Sequence, residues 1–366
     1  MSGTVGNNLE RASGSIGSAG SGITVDSGDP AVDTNPAGGV GTVWSNSTSG
    51  ETYVCTDASS GANVWTNVGD GTGSKPWTIY GESYGYGCGG NAPGPNSNVI
   101  DKFSFTSQAD STDVGNLTAA GGSHCPNTSE THGWCSGGAG LAANIDKWSF
   151  ASDGDAVDSG FDLSASRIFG AGGSSSTDGY CLAGNSSGVV DTIDKFSFAA
   201  TSTASDIGNA TVARERLASH SSLTHGYGSG GSAAGGAAPY SVVVEKYTFA
   251  SNNDATDVGN LTVARAPDNS GASSATDGHT VGGYTGGASN VIDEFSFSSD
   301  SDSTDVGDLV SVVRHGFCSS ATNYGYYSGG YPSTNVIQRW SFSSNGNSVD
   351  WADLSQARLQ GSGNQV

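Results

Sequence analysis

The chain is short of positive charge. Its 366 residues carry 13 Lys and Arg against 35 Asp and Glu, a formal charge of −22. A nucleic-acid surface needs clustered Lys and Arg to displace counterions from phosphates. The sequence has no such cluster, so nucleic acid is not an expected partner. It also has no run of about 18 apolar residues, so no membrane-spanning helix is expected. Its start, MSGTVGNNLERASGSIG, has no apolar core of the kind a signal peptide carries. Cysteine is sparse and without pattern. Cys55, Cys88, Cys125, Cys135, Cys181 and Cys318 show neither CxxC spacing nor a metal-ligand arrangement. They read as small core residues, and one disulfide, Cys125 to Cys135, is compatible with neighbouring strands.

Glycine is abundant instead, with 58 copies. Glycine and serine at this level without a period suggest disorder. With a period they suggest short strands joined by tight turns. A period is present. IDKFSF at Ile100 recurs as IDKWSF at Ile145, IDKFSF at Ile193, VEKYTF at Val244, IDEFSF at Ile292 and IQRWSF at Ile337, in steps of 45, 48, 51, 48 and 45 residues. Within each copy apolar and polar residues alternate, as in a strand with one apolar face. Upstream stands a glycine followed four residues later by a doublet, as in Gly278 and Gly282-Gly283. The leading glycine follows Asp, His or Tyr, which suggests a two-residue hairpin turn needing positive φ. Eight residues past the second aromatic comes an aspartate: Asp113, Asp158, Asp206, Asp257, Asp305, Asp350.

Each unit reads as four antiparallel strands, the size of one propeller blade. The expected fold is all-β: a six-bladed β-propeller over residues 74–366, preceded by an extended arm (1–40) and a small β-hairpin module (41–73) turning at Ser49-Gly50. A lone four-stranded sheet cannot bury its aromatic face, whereas stacked blades cover one another. Trp148, Phe196, Phe295 and Trp340 should therefore be buried between blades. The C-terminal GSGNQV, Gly361 to Val366, falls where a next unit's first strand would lie. It should close the ring on the first blade. The rival for that role is PWTIYGES, Pro76 to Ser83, whose residues are larger.

The glycine doublet with an aromatic strand downstream resembles the kelch repeat. Units of the form YGY-x-SGG, NVIDKFSF and DVGNLTVAR resemble propeller repeats in structural proteins of tailed bacteriophages, especially those of marine bacteria, over roughly residues 75–366. MSGTVGNNLERASGSIG resembles the leader of virion proteins, and Gly41 to Gly71 a hairpin module of phage fibres. The resemblance implies a virion protein made in the host cytoplasm and displayed on the particle, on the tail rather than the head. It also implies an assembly of several copies, with residues 1–73 joining other virion proteins. The work implied is binding to host-surface glycan or protein. The alternatives are a capsid or neck decoration with a structural propeller, and a carbohydrate-active enzyme.

The loops between doublet and anchor vary in length, and such loops often bind. Asn91, Asn96, Tyr240 and Tyr331 are the candidate contacts, suited to stacking on and hydrogen-bonding to a sugar. Asp153, Asp155 and Asp158, and likewise Asp300, Asp302 and Asp305, are spaced as oxygen ligands for calcium. The same residue types also close turns through their own backbone hydrogen bonds. No catalytic set is expected and no cofactor besides calcium. His132 and His225 fill a turn position that Asp178 and Asp277 fill elsewhere, and nothing in the spacing selects a catalytic histidine.

Overall fold

The alternation in the recurring hexapeptide folds into extended chain. In the computed structural model, which describes residues 23–69, 78–138, 140, 142–199 and 201–366, six strands carry it: Ser97–Ser104, Asn144–Ser149, Val189–Ser197, Val243–Thr248, Ser289–Ser296 and Thr334–Ser341. Each is the third strand of a four-stranded antiparallel sheet. One sheet runs Gly271–Ser273, Asp277–Val281, Ser289–Ser296, Thr304–Val313. The chain divides into two compact units, Met1–Trp77 and Thr78–Val366. The second holds six such sheets and is a β-propeller.

The first strands lie on the axis. Cys125–Thr128, Ala171–Ser174, Ala218–Ser221, Gly271–Ser273, Phe317–Ser320 and Ser362–Gln365 neighbour one another in a ring. Small side chains are needed there, because six strands converge on one channel. Serines also tie it together. The N–H of Thr128 donates to Ser174 Oγ (2.9 Å), Ser174 to Ser221 (3.1 Å), Ser221 to Ser273 (3.1 Å) and Ser273 to Ser320 (2.9 Å). The sixth strand is the C-terminal one. Ser362 to Gln365 pair antiparallel with Cys88 to Gly85, so the end of the chain completes the first blade. In the rival segment, Gly81 makes only an isolated bridge to Ala321; Pro76 and Trp77 lie outside the described residues.

The aromatic repeats fill the gaps between blades. Trp148, Phe196, Phe295 and Trp340 are all buried, as the sequence predicts. The ring at the centre of each second strand packs on the second aromatic of the next blade: Tyr86 tilted on Phe150 at 5.0 Å, Tyr180 stacked on Phe249 at 4.8 Å, His279 on Phe342 at 4.6 Å, and across the closure Tyr326 on Phe105 at 4.8 Å. The leading glycines make room for the first aromatic of each hexapeptide. Gly278 lies in its strand opposite Phe295, and a Cβ there would stand 2.4 Å from the ring. Its role is room for the ring rather than the positive φ expected of a turn glycine. Positive φ belongs to the doublet, Gly282 at 59° and Gly283 at 103°.

The hexapeptide acid is not on a solvent face, as simple alternation suggests. Asp101, Asp146, Asp194, Glu245, Asp293 and Gln338 are all buried. Each accepts a backbone N–H from the preceding blade, from Ser355, Thr118, Ser164, Thr211, Thr262 and Val310 respectively. Four also meet a buried arginine: Arg358–Asp101 (2.9 Å), Arg167–Asp194 (3.2 Å), Arg214–Glu245 (2.7 Å) and Arg265–Asp293 (3.0 Å). Where Val313 takes the arginine's place, the acid is the neutral Gln338. Charge and counter-charge are lost together at this seam, which avoids the cost of a buried unpaired ion. At Asp146, which also lacks an arginine, hydrogen bonds from the Thr118 N–H, the Thr118 hydroxyl (2.7 Å) and the Asn144 amide (3.0 Å) take its place. Cysteine pairing also differs from expectation. Cys125 bonds to Cys181 of the next blade, and Cys135 is free.

The N-terminal unit contains a four-stranded sheet of its own, Thr24–Asp26, Val43–Asn46, Thr52–Asp57 and Val64–Gly69. The turn at Ser49-Gly50 is present. Asn46 Oδ1 accepts from the N–H of Thr48 (2.8 Å) and Ser49 (3.0 Å), and Gly50 has φ 79°. The hairpin is extended on both sides, and Thr24–Asp26, within the segment expected as an extended arm, pairs parallel to Val43–Asn46. Residues 1–22 of that arm lie outside the described residues.

Candidate functional site

Antiparallel order sorts the loops onto two ends of the propeller. The turns between third and fourth strands, which hold the aspartates, lie at one end. The variable loops and the connections that carry the chain to the next blade lie at the other.

At the aspartate end each acid turns to a different partner. Asp153 pairs with Lys102 (3.0 Å), Asp155 accepts from Asn116 N–H (2.9 Å), and Asp158 accepts from Gly160 N–H (2.8 Å). Asp300 pairs with Lys246 (2.6 Å), Asp302 accepts from Asn260 N–H (3.0 Å), and Asp305 from Gly307 N–H (3.1 Å). These contacts fasten one blade to the next and close turns. Among the described residues, no group of three or more His, Cys, Asp or Glu converges as a metal cluster.

The loop end is built differently. Two residues before each inner strand, or three before Gly271–Ser273, the backbone enters the left-handed region at Ser123 (φ 65°), Phe169 (59°), Arg216 (63°), Asp268 (53°), His315 (61°) and Gln360 (57°). These six positions form a belt round the mouth of the axial channel. Phe169 N–H donates to Ser123 O (3.0 Å), Arg216 to Phe169 (2.9 Å), Asp268 to Arg216 (3.1 Å), Gln360 to His315 (2.6 Å) and Ser123 to Gln360 (2.8 Å). Between Asp268 and His315 a side-chain bond, His315 Nδ1 to the Asp268 carboxylate, spans the belt. Glycine adopts this backbone without strain, and other residues cost about 1 kcal/mol or more. The chain has 58 glycines and places none here. Six equivalent positions thus share one conformation that glycine favours and carry six different side chains.

Those side chains interlock. Arg216 donates from Nη1 to Asp268 (2.8 Å), pairs through Nε with Glu215 (3.6 Å) and lies 3.8 Å over the Phe169 ring. Next to Ser123, burial pushes the His124 imidazole down to about 4, so it is neutral near pH 7. One step outward, the connections bridge to the starts of the variable loops: Leu359 to Asn91, Ile168 to Asn185, Glu215 to Ser232, Ala266 to Tyr284 and Arg314 to Tyr331. Arg314 lies between two tyrosine rings, 4.5 Å from Tyr284 and 4.5 Å from Tyr331.

Of the residues expected to bind, three belong to this mouth. Asn91 donates to Gln360 Oε1 (2.6 Å), Tyr240 meets Tyr284 edge-on at 5.7 Å, and Tyr331 is 49% exposed beside Arg314. Asn96 is exposed on its loop. Sequence reasoning missed Phe169, Arg216, Asp268, Arg314 and His315. The signal that finds them is the alignment of the repeats on one another, because they stand where the six units disagree.

Comparison with known proteins bears on the fold. No family model matches the chain, and no curated protein does. The solved structure titled "Structure of YjhT" superposes with a TM-score of 0.56 over 67% of this chain and 88% of its own, at 13% identity. A likeness at that identity is one of fold alone.

Proposed function

We propose that the chain is a virion protein of a tailed bacteriophage and that its propeller recognises host-surface glycan or protein through the loop end. The belt of six left-handed, non-glycine side chains carries this reading. A purely structural ring would repeat its easiest backbone solution at all six places, as this ring does at its seams. Aromatic faces beside hydrogen-bonding groups, as at Tyr284, Tyr331, Asn91 and Gln360, suit a sugar surface. The likeness of the repeats and leader to phage proteins supports the virion assignment, with residues 1–73 joining the particle and several copies displayed on the tail.

A second reading, a carbohydrate-active enzyme, rests on the Asp268–His315 pair, a carboxylate–imidazole contact of the type used in proton transfer. Host-cell binding separates the two. Labelled protein should bind host cells and leave surface glycan uncleaved, and an Arg216→Gly variant should lose binding. Glycan cleavage would favour the enzyme. Particles assembled with a chain lacking residues 1–40 should lack the propeller, and normal incorporation would contradict the virion role of that segment.

A further inference from the structure

Arg314, among the described residues, has no carboxylate partner in an ion pair. Among the described residues, eight of the Lys and Arg side chains sit in ion pairs with Asp or Glu, and three do not: Lys147, Arg314 and Arg339. Lys147 and Arg339 stand at the repeat position after the buried acid, where Lys102, Lys195 and Lys246 stand in other blades. The repeat accounts for them. Arg314 follows no repeat, since its counterparts are Gly122, Ile168, Glu215, Ala266 and Leu359. Its guanidinium is held between Tyr284 and Tyr331. Stacking occupies the faces of this planar group and leaves its edge N–H donors for another partner. It lines a cavity of ≈ 180 Å³ with Arg216, His315, Tyr284, Ala266 and the glycines Gly235 and Gly236. Arg216 is already answered by Asp268 and Glu215, so Arg314 is the cation left over.

We infer that this cavity is a subsite for an anionic group on a saccharide, a carboxylate or sulfate received by Arg314, with the exposed ring of Tyr331 beneath the sugar. A chain of net charge −22 repels anions in general. One fixed cation set among aromatic rings therefore selects rather than merely attracts. The inference rests on the proposed glycan recognition, and the test keeps the two apart. The full chain, Arg314→Gln and Arg314→Lys would be measured on an array of matched neutral, uronate-bearing and sulfated glycans. Melting temperatures would be measured alongside, and are expected to be equal. The wild type should prefer acidic glycans, with the uronate and sulfate arms showing which anion it takes. Arg314→Gln should weaken that binding about tenfold and leave neutral glycans unaffected. Arg314→Lys, which keeps the charge without the planar fork, should fall between. Equal binding of neutral and acidic glycans, or equal loss of both in Arg314→Gln, would overturn the subsite and leave glycan recognition standing. Binding to no glycan at all would overturn both. Loss of acidic binding accompanied by a fallen melting temperature would assign Arg314 a structural role and overturn the subsite.

Discussion

The seams between blades and the mouth of the channel are made from the same repeat and treat it in opposite ways. At a seam the solution recurs almost unchanged. An aromatic ring packs on the next blade's aromatic, and a buried acid receives a backbone N–H across the gap. At the mouth the backbone recurs and the side chains do not: Ser123, Phe169, Arg216, Asp268, His315 and Gln360 share one conformation and little chemistry. Stability in this molecule is a property of what repeats, and the proposed recognition would belong to what does not.

The seam between the fifth and sixth blades sharpens the point. It lacks the arginine and has neutralised the acid, with Val313 and Gln338 in place of a pair such as Arg265 and Asp293. Arg265→Ala should therefore destabilise the protein by about 3–5 kcal/mol, because Asp293 is left buried without its counter-charge. The double change Arg265→Val with Asp293→Gln should recover most of that loss by copying the natural neutral seam. Chemical denaturation of the three proteins measures both effects. A double variant no better than the single one would show that the two kinds of seam are not equivalent.

Trp148→Ala should cost a similar amount, about 3–5 kcal/mol, by opening a cavity between the first and second blades. The same substitution at Tyr331, which is 49% exposed at the mouth, should change stability far less. Comparable losses at both would erase the distinction between seam and mouth.

Buried histidines give the framework a pH dependence. Burial pushes His124 and His220 down to about 4 and His279 to about 3. In the unfolded chain each titrates near 6.5. Between those values the unfolded state binds the proton and the folded state does not, so stability is full above pH 6.5 and falls as pH drops toward 4. Each histidine contributes up to about 3 kcal/mol of that loss. Melting temperature should decline from pH 6.5 to 4.5, above the range of most exposed carboxylates. A flat profile would contradict the burial of these rings.

The smallest effect is expected at the mouth. Gln360→Gly removes a left-handed side chain at a place where glycine relieves about 1 kcal/mol of backbone strain, at the cost of the hydrogen bond from Asn91. Its melting temperature should stay within about 3 °C of the wild type. A large drop would mean that the belt is structural.

Much of the framework is legible in the sequence, because a propeller states each contact several times over. The period, the four strands, the anchors at Trp148 and Phe295, and closure by Ser362 to Gln365 all follow from repeated letters and the place where the chain stops repeating. Asp101 and its equivalents are misjudged because alternation assigns one face to water, while a blade has a neighbour on each side. The leading glycines are misjudged because a dipeptide suggests a turn before it suggests room for a ring. The mouth is the least legible part. Phe169, Arg216, Asp268 and His315 come from different repeats, and only the packing of successive blades round the axis brings them together. The acids at 153–158 and 300–305 share a spacing, yet their side chains diverge to three partners each. Spacing along a chain does not fix direction at a turn.

The most direct test of the division between framework and mouth is one variant carrying His315→Gly and Gln360→Gly, measured for both melting temperature and host-cell binding. The account predicts a melting temperature within about 3 °C of the wild type, together with loss of binding. A variant that still binds host cells, or one that no longer folds, would contradict it.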